Sequence, residues 1–167
     1  MEQNFIIRPI TAGDVEAWRD AVGMVRAERK YILPGPPLPI EAAKDFVLRN
    51  IEQGYPHLIL EYNGMLGGWC DITPTRINEA TNHVGLLGMG LLPEYRGKGF
   101  GERLLRDTLA AAEAFGFTRI ELGVFATNSR AIALYRKVGF VQEGTKRKFL
   151  LIDGIYIDEI LMALLRI

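Results

Sequence analysis

Apolar residues along this chain recur at two periods, and each switch from one to the other marks an element. Phe5 to Pro9 reads as a first strand. Thr11 and Asp14 then open a helix in which Val15, Trp18, Val22 and Val25 recur at three- and four-residue spacing, a stripe that faces a core. The helix frays into Tyr31-Ile32-Leu33 and is stopped by PGPPLP, where Pro34, Pro36, Pro37 and Pro39 forbid helix and stiffen the connection. The spacing predicts a second helix over Ile40–Gln53, with Ala43, Phe46, Val47 and Ile51 inward and Gly54 at its C-terminal stop. HLILEY and MLGGWCDI flank Asn63-Gly64, a pair that tolerates the positive φ of a tight hairpin. Arg119 to Ala126 is a further strand, and Asn128 begins a helix over Ser129–Val138 that Gly139 closes. Thr145 to Ile152 and Ile155 to Leu164 flank Asp153-Gly154 as a second hairpin.

The stretch from His83 to Phe115 is less ordinary. An apolar strand (His83 to Leu92) passes through a polar corner (Pro93 to Arg96) and a glycine-rich turn (Gly97 to Gly101) into an amphipathic helix. Phe100, Leu104, Leu105, Thr108, Leu109, Ala112 and Phe115 share one face of that helix. No Ser, Thr, Asp or Asn precedes Gly97 to accept the first backbone N–H groups, so those donors lack a side-chain partner. Glycines at 97, 99 and 101 let the backbone bend and let an anion approach. The positive helix end favours negative charge by roughly 0.3 to 1 kcal/mol per interaction, and Arg96 and Lys98 add full charges. A pyrophosphate would satisfy several of these groups at once. A glycine-rich turn without any ligand explains the glycines alone equally well. Two phosphate loops fail to fit: the third glycine comes one residue early for G-x-G-x-x-G, and Lys98 is followed by Gly99 where a nucleoside-triphosphate loop needs Ser or Thr.

What the turn does match is R-x-x-G-x-G, as Arg96, Gly99 and Gly101. With Asn128, Ala131, Tyr135 and Gly139-Phe140 downstream, the chain resembles the GCN5-related N-acetyltransferase (GNAT) superfamily over nearly its whole length. The segment from Arg119 to Leu164 is similar to the bacterial branch that includes amino-acid N-acetyltransferases. The resemblance implies an α/β (α+β) fold: one GNAT-like domain over residues 1–167, with a mixed, mostly antiparallel sheet of six to seven strands flanked by about four helices. It implies acetyl-CoA as cosubstrate, held by Arg96, Gly97, Lys98, Gly99, Phe100 and Gly101 at the turn and by Asn128, Ala131 and Tyr135 on the later helix. Gly88 and Gly90 suggest a bulged strand whose free edge pairs with the two amides of pantetheine, and edge periodicity points to the main chain of Met89 and Leu91. A bulge that merely relieves twist is the plain alternative.

For an amine attacking a thioester, the protein must deliver a neutral amine, stabilise the oxyanion and help the sulfur leave. The oxyanion falls to a backbone N–H near Leu91. Tyr135 is the leaving-group candidate; with reference pKa values near 10 and about 8.5, donation to a thiolate runs uphill by roughly 2 kcal/mol. Its plain role is an aromatic in the stripe of Leu134 and Val138. Herbicide-acetylating relatives are expected to carry Glu where Leu86 stands here, so the strand from Val84 to Leu92 offers no carboxylate base. An α-amino group near pKa 8 costs only about 1.4 kcal/mol to deprotonate at pH 7, against about 4.6 for a lysine-like amine. A small α-amine acceptor such as an amino acid is therefore expected, with His83 or Glu121 as the base acting through water. An acyl-CoA-binding sensor without turnover, and an acetyltransferase of ribosomal-protein N-termini, are the rival readings.

Composition narrows the rest. The 167 residues, 49% hydrophobic, suffice for one core, and no linker divides them. Lys plus Arg and Asp plus Glu both number 20, which argues against a nucleic-acid or membrane-surface partner. Lys146, Arg147 and Lys148 form a short run, read as a solvated strand face or as a contact for the 3′-phosphate of coenzyme A. The single cysteine, Cys70, rules out an internal disulfide and reads as core; His57 and His83 form no cluster at metal-ligand spacing. No stretch of 18 apolar residues occurs, so a cytoplasmic protein without a membrane span is expected. The superfamily resemblance and the apolar C-terminal strand allow a homodimer, although that strand fits a core equally well. The loops Ile32–Ile40 and Thr73–Asn82 are where acceptor specificity is expected.

Overall fold

The computed structural model describes residues 5–166. The chain runs β1 (Phe5–Pro9), α1 (Val15–Ala27), α2 (Ile40–Gln53), β2 (His57–Tyr62), β3 (Met65–Pro74), β4 (Val84–Leu91), α3 (Phe100–Phe115), β5 (Arg119–Phe125), α4 (Ser129–Val138), β6 (Val141–Ile152) and β7 (Ile155–Leu165). The seven strands form one sheet in the order β1-β2-β3-β4-β5-β7-β6. Every neighbouring pair is antiparallel except β4 and β5.

Alternation along the strands sends successive side chains to opposite faces, and each face receives its own helices. Ile59 and Trp69 point toward α1 and α2, where they meet Val15, Trp18, Val22, Val25, Ala43 and Val47. Their neighbours Leu60 and Cys70 point the other way, toward Leu104, Leu105 and Leu109 of α3 and Tyr135 of α4. Leu104, Leu105 and Leu109 are fully buried, each stabilising the fold by roughly 1.5 to 3 kcal/mol. Cys70 is fully buried beside the Thr108 hydroxyl, and burial pushes its thiol well above the ordinary range.

The structure changes three details of the sequence reading. Ile51 is not inward: it is 44% exposed, and Asn50 takes the place one turn after Val47. The apolar periodicity favoured Ile51, but this buried face is closed by a polar pair, Asn50 Nδ2 lying 3.2 Å from His57 Nδ1. β6 begins at Val141, four residues before the expected start, because its pairing with β7 continues across register breaks at Gln142/Gly144 and Lys146/Leu150. β4 carries no bulge against β3; its register runs unbroken from Gly85 to Leu91. Its glycines serve close neighbours instead. A Cβ on Gly90 would lie 2.3 Å from the Trp69 ring, so only glycine lets that indole cross the strand.

Candidate active site

The β4–β5 ladder lasts only from Val84↔Arg119 to Leu86↔Glu121, after which the strands part. A cavity of about 420 Å³ opens in the wedge, walled by Leu87–Leu91 of β4, Leu122–Val124 of β5 and Asn128–Ala131 with Leu134 and Tyr135 beside α4. Val25, Tyr31 and Ile32 close it from the α1 side, so the connection after α1 does border the cavity. Leu92 N–H donates to the Gly67 carbonyl of β3. By strand alternation the N–H groups of Leu91 and Met89 then face the parted edge.

At the turn, Gly97 and Gly99 hold φ of 71° and 84°, a conformation that glycine adopts without strain. Gly99 caps α3 without any side-chain bond. Among the described residues the N–H groups from Gly97 to Glu102 find no protein acceptor, which leaves the helix end open to an anion. Glu102, the acid in the first turn, is drawn aside by Lys137 at 2.6 Å and Arg106 at 2.9 Å. Gly101 lines the cavity with the Leu91 Cδ1 atom 3.1 Å from the position a Cβ would take.

Met89, Leu91, Arg96, Gly101, Asn128, Ala131 and Tyr135 all line this one cavity. Arg96, however, is already engaged. Its guanidinium donates to Glu28 at 2.7 and 2.5 Å and to the Leu91 carbonyl at 2.9 Å, and it lies over the Tyr31 ring at 4.7 Å. Its backbone N–H donates to the Pro93 carbonyl. Arg96 is thus a brace between the end of α1 and β4, and the expectation that its charge holds a phosphate is corrected. Phe100 turns its ring away toward Phe5 and Tyr62, leaving only its main chain at the turn. Lys98 and Gly99 sit exposed on the turn outside the cavity wall.

Arg130 brings a second cation to the same turn. Its Nη1 lies 3.8 Å from where a Cβ on Gly97 would stand, it lines the cavity, and among the described residues it forms no ion pair. The sequence reading passed over it, although it stands between Asn128 and Ala131 on the same helix start. Asn128 itself caps α4, its Oδ1 accepting the Ala131 N–H at 3.2 Å.

Tyr135 is 7% exposed and packs on Phe140, and burial, with a smaller contribution from Cys70, holds its phenol above the ordinary tyrosine value. The two proposed bases are not with it. His83 is exposed at the opposite end of β4, on the rim of a separate cavity with Tyr55, Asn78 and Phe115. Glu121 lies below the point where the strands part and is paired with Arg119 at 2.7 Å. Both assignments are corrected: His83 lies at the wrong end of its strand, and Glu121 sits within the ladder with its carboxylate held by Arg119. Among the described residues no cluster of metal-ligating side chains occurs, and no helix is long and apolar enough to cross a membrane.

A wedge between parallel strands, with a bare helix end beside it, narrows the fold but not the family. The model of the acetyltransferase (GNAT) family matches residues 20–140. The chain belongs to the acetyltransferase (GNAT) family. Among curated GNAT relatives, the L-amino acid N-acetyltransferase AaaT of Escherichia coli is 35% identical over 83 residues, 49% of this chain and 51% of that protein. The match thus spans about half of that relative's length. The ribosomal protein bS18-alanine N-acetyltransferase of Escherichia coli is 31% identical over 115 residues, 69% of this chain and 74% of its own. A GNAT acetyltransferase structure from Streptococcus pneumoniae superposes with a TM-score of 0.90 at 28% identity, covering 97% of this chain and 99% of that one.

Proposed function

We propose that this GNAT protein moves an acetyl group from acetyl-CoA to the primary amine of a small molecule, an amino acid above all, by direct attack within a ternary complex. The observation that carries the reading is the wedge itself, which places unpartnered N–H groups at the α3 end, an unpaired strand edge in the middle and the Tyr135 side chain on the wall. Pyrophosphate oxygens would take the N–H groups from Gly97 to Glu102, with Arg130 neutralising their charge. The freed edge at Met89 and Leu91 offers main-chain partners for two amides, and a Leu91 N–H suits a developing oxyanion. Acetyl-CoA supplies the activated acyl group, so the protein's work is positioning and proton control.

Tyr135 would donate a hydrogen bond to the departing sulfur. Since its phenol lies above the ordinary range, complete transfer of the proton is more uphill than the roughly 2 kcal/mol of an unperturbed pair. Stabilising the thiolate without full transfer is therefore its role. The larger coverage of the ribosomal-protein relative supports a second acceptor, the α-amine of a protein N-terminus. Coenzyme A release followed with a thiol reagent across amino acids, polyamines and peptides tests these readings. Turnover with free amino acids supports the first, and turnover with peptides alone supports the second. Acetyl-CoA binding without release for any amine would replace both with a sensor.

A further inference from the structure

The wedge needs a group that takes a proton from the incoming amine, and neither His83 nor Glu121 is placed for it. The carboxylates around the cavity divide by their partners. Glu28 is bound by Arg96, and Glu159, whose Oε1 lies 2.5 Å from where a Cβ on Gly123 would stand, is bound by Lys146 at 2.8 Å. Asp71 is different. It is 7% exposed on β3, and burial is the sole influence on its carboxyl, with no hydrogen-bond donor or cation among the described residues acting on it. A buried carboxylate without a partner costs several kcal/mol and is rarely kept without use.

Its position supplies the use. Asp71 stands opposite Gly88 in the β3–β4 ladder, and Gly88 is a wall of the cavity just past the last β4–β5 pair. The two Asp71 oxygens lie 3.6 and 3.7 Å from where a Cβ on Gly88 would sit, so the missing side chain leaves the carboxylate separated from the cavity by bare backbone. Asp71 shares its face with Trp69, the α1 and α2 side, from which Tyr31 and Ile32 close the cavity. Tyr135 approaches from the other face, with α3 and α4. A proton acceptor on one face of the wedge and a hydrogen-bond donor to sulfur on the other suit acyl transfer to an amine.

We propose that Asp71 is the proton acceptor for the attacking amine, an assignment that rests on the acetyltransferase reading above. Because Asp71 stands behind Gly88 and not in the cavity wall, the transfer runs through an intervening water, which takes one proton from the ammonium form of the acceptor and passes one to the carboxylate, leaving a neutral amine and a carboxylic acid. The nitrogen lone pair then forms the C–N bond at the thioester carbonyl. As the C–S bond breaks, the sulfur takes the bonding pair and the proton lost by nitrogen, giving amide and thiol. Asp71 returns its proton to solvent. Of the elements packed on Asp71, β2 brings His57 directly across the ladder, α1 carries Arg26, whose guanidinium runs to Gly35, and β4 brings no titratable side chain. Burial alone moves the carboxyl, to about 7, where it both holds and releases a proton at neutral pH.

The test uses the full chain and the best amine from the coenzyme A release panel. In wild type, kcat should fall on the acid side with a midpoint near 7. Asp71→Asn should lower kcat at pH 7 by about 100-fold or more, with the acid limb moved to the ionisation of the amine itself, and acetyl-CoA affinity unchanged. Asp71→Glu should keep part of the rate and the original limb. Independently of turnover, carbon-13 spectra of aspartate carboxyls should show one resonance titrating near 7 that is missing from Asp71→Asn. An Asp71→Asn enzyme with wild-type kcat and pH profile, or aspartates that all titrate below about 5, overturns the assignment while leaving the acetyltransferase reading intact. A wild type that binds acetyl-CoA and acetylates nothing overturns both.

Discussion

Replacing Asp71 by Asn should make the protein more stable at pH 8, and by an amount that depends on pH in a defined way. The folded chain holds the Asp71 proton up to about 7, whereas the unfolded chain releases it near the ordinary value of 3.8. Between those values the unfolded state binds fewer protons, so stability falls as pH rises. Below about 4 the contribution is fully present, and above 7 it is lost. A gap of about 3 pH units at about 1.4 kcal/mol each puts the loss on the order of 4 kcal/mol. Asn is neutral throughout and escapes it. His57 acts in the opposite direction, since burial lowers its folded value to about 4 from 6.5; stability there is full above 6.5 and falls as pH drops toward 4. The two slopes oppose each other in wild type, so the measurement that isolates Asp71 is the difference between the proteins. Urea unfolding at pH 4.5, 6 and 8 should show the two curves close together at the acid end and the Asn variant ahead at pH 8, with equal slopes against urea. A difference that stays constant with pH, or an Asn variant weaker at pH 8, would refute the picture of a buried, unpartnered carboxyl.

Three further outcomes follow from the same geometry. Tyr135→Phe should lower kcat by roughly 10- to 1,000-fold while leaving the acetyl-CoA dissociation constant nearly unchanged, because the lost hydroxyl acts on developing charge at sulfur; steady-state kinetics beside calorimetry check it. Arg130→Ala should weaken acetyl-CoA binding by about 1.5 to 3 kcal/mol, a loss of charge-assisted hydrogen bonds that shrinks in high salt; titrations at two ionic strengths show it. Gly90→Ala places a Cβ 2.3 Å from the Trp69 ring and should cost about 1 to 3 kcal/mol of stability through overpacking, read as a lower melting temperature.

The elements were legible because local signals agreed. Asn63-Gly64 and Asp153-Gly154 form the hairpin turns they suggested, and the stripe of Val15, Trp18, Val22 and Val25 is buried against the sheet. The turn at Gly97–Gly101 was legible because an uncapped helix start can be read from neighbouring residues. The Asp71 carboxyl was not. Its relation to the cavity depends on the pairing of β3 with β4 across Gly88, a contact that no local periodicity encodes. Arg96 misled for a similar reason: the motif gives its place in the turn, but its partner, Glu28, arrives from 68 residues away. Asn50 replaced Ile51 because a polar side chain can be buried when a histidine across the layer accepts it.

The lone cysteine also has a practical meaning. Cys70 is enclosed on the α3 side of the sheet, with a thiol too reluctant to ionise to react while the protein holds its shape. A colorimetric reagent added to the native enzyme should therefore see coenzyme A and nothing else. In the absence of substrate, any slow rise in colour would time the global openings of the molecule, one thiol for each chain that lets go.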